Sequence, residues 1–288
     1  MGYARQLESN CVGFHCARLP VFARRFYLSV MFMNIKKCSI GAVMACAWVT
    51  MACTSNRFSV SGVERTRILV DKRYDVDTAS EAVRFLKPYQ AKVDSMMSPV
   101  VGHTARYLDS ERPESPLSNL LADIMVWAAC DFNEKPVLGV YNMGGIRAAL
   151  PAGKITYGDV VDVAPFENKI CFLTLSGKHL LELFGNIAGV GGEGVSHGVQ
   201  LVITKDGKLV SARLHGKEID PEASYRIVTI DYLAQGNDKL EAFKKKTDYV
   251  APVAQENDTR YLIADYFRDM EAKGVVVDAQ VEGRIVVK

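Results

Sequence analysis

Histidine and cysteine are scarce in the body of this 288-residue chain, and that scarcity excludes more than any single motif adds. Of five histidines, only His103, His179, His197 and His215 lie beyond the first hundred residues, with no H-x-H, H-E-x-x-H or D-x-H spacing among them. A two-metal phosphatase centre needs a dense set of His, Asp and Asn ligands. The sequence offers none, so no catalytic residue, metal ligand or cofactor is expected in this chain. Five of the seven cysteines, Cys11, Cys16, Cys38, Cys46 and Cys53, precede the periodic part of the chain, leaving Cys130 and Cys171. Two cysteines cannot make a disulfide scaffold, and a domain of this length does not need one. One bridge between them is compatible with the sequence, but their apolar runs favour buried free thiols. No uncharged run after Cys53 is long enough to cross a bilayer. Charge of one sign is lacking too: 35 Lys and Arg against 33 Asp and Glu give no reason to expect a nucleic-acid partner.

What is present begins with a leader. Residues 1–32 are basic and irregular, and read as an over-extended gene start with the true beginning at Met33. Lys36-Lys37 then supplies positive charge, and Ile40 to Met51 an apolar core. The run closes on Thr50-Met51-Ala52-Cys53, a small residue before cysteine, with polar Thr54-Ser55-Asn56 beyond. Residues 33–53 thus resemble a bacterial lipoprotein signal with Cys53 as the lipidated residue, although Thr50 stands where leucine is usual. Export to the periplasm or outer membrane follows, with membrane contact only through the lipid anchor. Residues 54–76 read as a linker with short strand-like pieces around Ile68-Leu69-Val70, and residues 77–288 as the folded domain.

Within that domain, Ala82, Val83, Phe85, Leu86, Tyr89, Val93 and Met96 recur at helical spacing over 77–98, with Pro88 expected to break or bend the helix. A strand over 99–109 precedes a helix over 115–130, which Ser115 can cap and whose stripe is Leu117, Leu120, Leu121, Ile124, Met125 and Ala128. Val137 to Tyr141 is a buried strand, followed by a helical turn at Ala148–Leu150 and a short capped helix near Tyr157. A strand over 169–175 and a helix over 177–187 lead to strands at 199–204, 208–214 and 225–230, with a hairpin turn at Asp206-Gly207. Residues 233–243 read as loop then helix, 256–273 as a helix and 275–287 as terminal strands. The mixture lacks a regular βαβ repeat, which predicts an α+β fold with mixed, mostly antiparallel sheets and packed helices.

Two familiar patterns fail on context. Gly189 to Gly194 spells G-x-G-x-x-G, but a dinucleotide fingerprint follows a strand and opens a helix, whereas this one follows a helix. Gly194-Val195-Ser196-His197-Gly198 spells G-x-S-x-G, but a nucleophile elbow joins strand to helix, and here a loop leads into a strand. The stretch from Tyr141 to Thr174 carries more. Asn142-Met143-Gly144-Gly145-Ile146-Arg147 pairs glycines, which let backbone come close to a ligand, with an arginine able to grip an oxyanion two-pronged. Pro165-Phe166-Glu167-Asn168 offers a phenylalanine as a flat stacking surface.

These segments, with Ser118-Asn119-Leu120-Leu121-Ala122-Asp123 and Asp231-Tyr232-Leu233-Ala234-Gln235-Gly236-Asn237-Asp238, resemble the C-terminal domain of the bacterial 5'-nucleotidase and UDP-sugar hydrolase family from about residue 77 to the end. The four segments are similar to the family's S/G-N-L-x-x-D, N-G-G-G-I-R, P-F-x-N and aromatic-L-A-x-G-G-D motifs, in that order. The resemblance implies a nucleotide-gripping domain in which Phe166 and Tyr232 sandwich the base and Asp238 meets the ribose hydroxyls. Asn142 and Arg147 are then near the phosphate, with Gly144, Gly145 and Asn168 completing the site. Arg112 lies within a residue of the family's second arginine. The family's G-G-D-G-F becomes Gly236-Asn237-Asp238-Lys239-Leu240, where Asn237 is expected to carry the left-handed turn. In that family a separate metallophosphatase domain cuts the ester, and no such domain is recognisable here. The implied partners are a nucleotide or nucleoside and a metallophosphatase on a separate chain. A surface lipoprotein that kept the fold but lost the ligand is the alternative.

Overall fold

The computed structural model describes residues 59–69, 71–72 and 80–288. The leader, Cys53 and Val70 lie outside the described residues. Residues 59–69 are exposed and carry no helix or strand, so the strand expected at Ile68-Leu69 does not form. Residues from 72 onward belong to one compact unit.

Its helices are α1 (Ser80–Met97), α2 (Pro116–Ala128), α3 (Tyr157–Val163), α4 (Gly177–Gly189), α5 (Asp231–Ala234) and α6 (Thr259–Ala272). Its strands are β1 (Val100–Thr104), β2 (Leu138–Tyr141), β3 (Gly153–Thr156), β4 (Ile170–Ser176), β5 (Gly194–Val195), β6 (Val199–Ile203), β7 (Leu209–Leu214), β8 (Lys217–Glu218), β9 (Ser224–Ile230), β10 (Thr247–Val250) and β11 (Ile285–Val287). They form a five-stranded sheet, β10-β4-β9-β2-β5, a four-stranded sheet, β11-β6-β7-β8, and the pair β1-β3. The α+β architecture is as expected, with antiparallel pairing throughout except β2 beside β9 and β11 beside β6.

The elements follow from local chemistry. Ser115 accepts from the Ser118 amide while the Ser118 hydroxyl accepts from the Ser115 amide, and Pro116 sits where its missing N–H costs nothing. The stripe of α2, from Leu117 to Ala128, is buried against β2, β5 and β9. β4 reads Ile-Cys-Phe-Leu-Thr-Leu-Ser with its first four residues buried, the continuous run expected of a strand covered on both faces, with α4 packed on it and Phe132 meeting Phe172 at 5.5 Å. The apolar positions of α1 stay exposed, Phe85 and Tyr89 meeting at a centroid distance of 5.6 Å, and the helix runs through Pro88 instead of ending there.

Two further expectations shift. Ala148–Leu150 is not helical: Leu150 exchanges backbone hydrogen bonds of 2.9 and 3.0 Å with Leu108, and the helical turn forms earlier, at Met143–Gly145. Both thiols are free, but only Cys171 is buried, whereas Cys130 is exposed in the turn after α2. That turn carries the chain out of α2, so an apolar run in sequence ends at the surface. Burial pushes the Cys171 thiol up to about 12. Cys130 is raised as well, mainly by desolvation and by Asp131. Alkylation of the folded protein at pH 8, followed peptide by peptide, should therefore modify Cys130 slowly and spare Cys171 until denaturant is added. Labelling of Cys171 in the folded state would contradict this packing.

Candidate functional site

The sheet decides which loops meet. Because β2 and β9 run parallel, Leu138 opposite Ile227, their C-terminal ends emerge together and deliver Asn142 and Tyr232 to one edge. β4 runs antiparallel to β9, Ile170 opposite Ile230, so the loop entering β4 arrives at that same edge with Phe166 and Asn168. Asp231 ties the corner: its carboxylate accepts from the Lys169 amide at 3.2 Å and the Tyr232 amide at 2.8 Å.

These loops enclose a cleft of about 230 Å³ lined by Asn142, Gly144, Gly145, Phe166, Asn168, Tyr232 and Asp238. All seven are candidates on sequence grounds. Phe166 and Tyr232 remain 48% and 38% exposed, large rings left facing solvent beside a core that buries Phe172, Phe184, Phe243 and Phe267. Tyr232 donates its hydroxyl to Asp238 Oδ1 at 2.9 Å, and the carboxylate holds the phenol proton more tightly than usual. Asn142 Nδ2 donates to Asp238 Oδ2 at 2.8 Å. Each carboxylate oxygen has further acceptor capacity for a ligand hydroxyl.

Asn142 is only 3% exposed, and its Oδ1 has no hydrogen-bond partner. That oxygen is closed off from solvent, a buried acceptor left unpaired behind the cleft wall. Gly145 makes room for it, since a Cβ there would stand 2.6 Å from that oxygen. A Cβ on Gly144 would only touch Asp238 at 3.6 Å, so the two glycines are not equivalent.

The two arginines lie apart from the lining. Arg147 is exposed and donates from Nη1 to the Gly144 carbonyl at 3.3 Å, which stations its guanidinium next to a lining residue. Arg112 is paired with Glu193, a buried carboxylate that also accepts from the Met143 amide at 2.5 Å. Burial raises the Glu193 pKa, against the lowering effects of Met143 and Arg112. Glu193 is absent from the sequence candidates because the glycine-rich segment that carries it fails as a dinucleotide motif. The left-handed turn also differs from expectation: Gly236, Asp238 and Lys239 take positive φ, not Asn237. The Asn237 side chain donates from Nδ2 to the Tyr232 carbonyl at 2.8 Å, and Asp238 itself turns back toward Asn142.

Other candidates resolve into structural roles. Ser196 is buried and accepts from the Gly139 amide at 2.8 Å, which occupies its hydroxyl in sheet support. His103 and His197 each face one carboxylate, Glu271 and Glu282. Among the described residues no group of three His, Cys, Asp or Glu side chains is placed to hold a metal ion, and no helix is long and apolar enough to cross a membrane.

The sequence profile of "5'-nucleotidase, C-terminal domain" matches residues 100–245. An apyrase of Tabanus yao is 31% identical over 192 residues, 57% of this chain and 35% of the apyrase. A 5'-nucleotidase of Vibrio cholerae is 26% identical over 210 residues, 72% of this chain and 36% of that enzyme. The crystal structure of a 5'-nucleotidase precursor from Thermus thermophilus superposes with a TM-score of 0.62 at 29% identity, covering 72% of this chain and 43% of that one. The chain thus spans about a third of the length of the curated relatives it matches. The profile takes in the strands, the glycine turn, the phenylalanine loop and the Tyr232–Asp238 turn that together form the cleft, and the chain belongs to the family of 5'-nucleotidase C-terminal domains.

Proposed function

We propose that this domain recognises a nucleoside or nucleotide and presents it to a metallophosphatase carried on a separate chain. The base lies between Phe166 and Tyr232, and Asp238 accepts from the ribose hydroxyls while Asn142 Nδ2 steadies its carboxylate. The cleft floor is rich in acceptors and carries the Asp238 charge, so phosphate belongs outward, toward the exposed guanidinium of Arg147. The single observation that carries the reading is the placement of two exposed rings and a carboxylate around one cleft. The chain is exported and held at the membrane surface through lipid on Cys53. Membrane-fraction recovery that survives salt washing and is lost in Cys53→Ala tests that part.

Calorimetry with AMP, adenosine and UMP tests the recognition. Micromolar-range binding is expected, with no phosphate release until a metallophosphatase chain is added. The absence of heat with every purine and pyrimidine ligand would reject it. It would favour the second reading, a surface lipoprotein without a ligand, to which the internal pairing of both Asp238 oxygens already lends support.

A further inference from the structure

The glycine-rich segment that resembles a nucleotide fingerprint has a different physical purpose. Gly192 takes φ +116°, and a Cβ there would stand 2.2 Å from the Pro113 carbonyl oxygen. A Cβ on Gly194 would lie 2.8 Å from the Ser118 carbonyl and 2.9 Å from that of Tyr141. Glycine at the first position lets the segment press into the backbone of the loop before α2, and at the second into α2 and the end of β2, closer than any side-chain-bearing residue allows. What the close approach delivers is the Glu193 carboxylate, only 1% exposed, directly behind the Asn142–Gly145 turn.

We propose that Glu193 is a positioning residue for the ligand cleft. Its Oε2 accepts from the Met143 amide at 2.5 Å and so fixes the turn that carries Asn142, Gly144 and Gly145. Its Oε1 is neutralised by Arg112, reaching in from the loop before α2. This use of Arg112 differs from direct contact with a ligand phosphate. The carboxylate also fills, from the protein side, the place where the Met143 N–H could otherwise have met an anion. Binding residues hold a productive geometry only when the groups behind them are themselves held. Here Asn142 needs it most: its amide must keep Nδ2 on Asp238 and Oδ1 over Gly145 at once.

The inference rests on the nucleotide reading for its ligand but not for its geometry, so the test has two arms on the full chain. In the ligand-free protein, amide hydrogen exchange at Met143 should speed up at least ~10-fold in Glu193→Ala. It should stay near wild type in Glu193→Gln, whose side-chain oxygen still accepts from that N–H. In calorimetry with AMP, Glu193→Ala should bind about 10-fold more weakly and Glu193→Gln within about 3-fold of wild type, a rescue that loss of overall stability alone would not produce. If Glu193→Ala fails to fold, Glu193→Asp, which withdraws the carboxylate by one methylene, takes its place with the same readings. Unchanged Met143 exchange, or unchanged AMP affinity in Glu193→Ala beside a binding wild type, overturns the proposal. A wild type that binds no nucleotide rejects the recognition reading instead, and the exchange arm still decides whether Glu193 holds the turn.

Discussion

Phe166→Ala is expected to weaken nucleoside binding by about 5- to 150-fold, the equivalent of the ~1–3 kcal/mol that one aromatic–base stack contributes. Tyr232→Ala should fall in the same range. Both rings are substantially exposed, so truncating them removes little buried surface, and the variants should melt close to wild type. Lost affinity without lost stability is what separates a binding platform from a core residue. The double variant should lose less than the sum of the two, because both rings grip one base and neither stack survives fully without the other. Tyr232→Phe isolates the hydroxyl. It keeps the ring and frees Asp238 Oδ1 from its internal donor, so affinity should stay within about 3-fold of wild type if stacking dominates. Calorimetry with adenosine and AMP measures all four. If both alanine variants bind as the wild type does, this cleft is not the ligand site.

Arg284→Met is expected to destabilise the domain by about 3 kcal/mol, the lower end of the range for removing one partner of a buried ion pair. Arg284 is 3% exposed, and its guanidinium reaches both Asp123 oxygens at 2.9 and 2.7 Å and Glu282 at 3.0 Å. It also donates to the Val195 carbonyl at 2.7 Å. One side chain thus joins α2, β5 and the segment entering β11, which are remote in the chain. Removal leaves the Val195 carbonyl and the Asp123 carboxylate short of donors in a largely dry site. The lower end applies because the Asp123 side chain is 37% exposed and keeps some water. For a domain of this size the loss corresponds to roughly 6–12 °C in melting temperature. Arg284→Lys should recover little, since one ammonium cannot span both Asp123 oxygens. A melting temperature within a degree or two of wild type in Arg284→Met would show that the network contributes nothing net.

Much of the molecule was legible along the chain, and the exceptions have physical causes. The cap at Ser115 and the stripe of α2 could be read because both depend on residues within a few positions of one another. The short helix after Thr156 was legible for the same reason, its cap and capping partner Asp159 being near neighbours. Periodicity says nothing, however, about whether a stripe is covered. That is why α1 was readable as a helix although its apolar positions stay exposed. The helical turn expected at Ala148–Leu150 does not form there because Leu108, far earlier in the chain, claims the backbone of Leu150. Glu193 is not legible in the sequence because its partners, Arg112 and Met143, are distant along the chain and its own neighbours are glycines whose spacing invites another reading.

Residue types alone determined the family's motifs, the mixed α+β character and the seven residues that line the cleft. The tertiary structure alone decided that β2 lies parallel to β9, which carries Asn142 and Tyr232 to the same edge, and that both arginines stand off the cleft's lining. Strand direction within a sheet is set by the contacts of whole elements with one another, and no local pattern of residues encodes it.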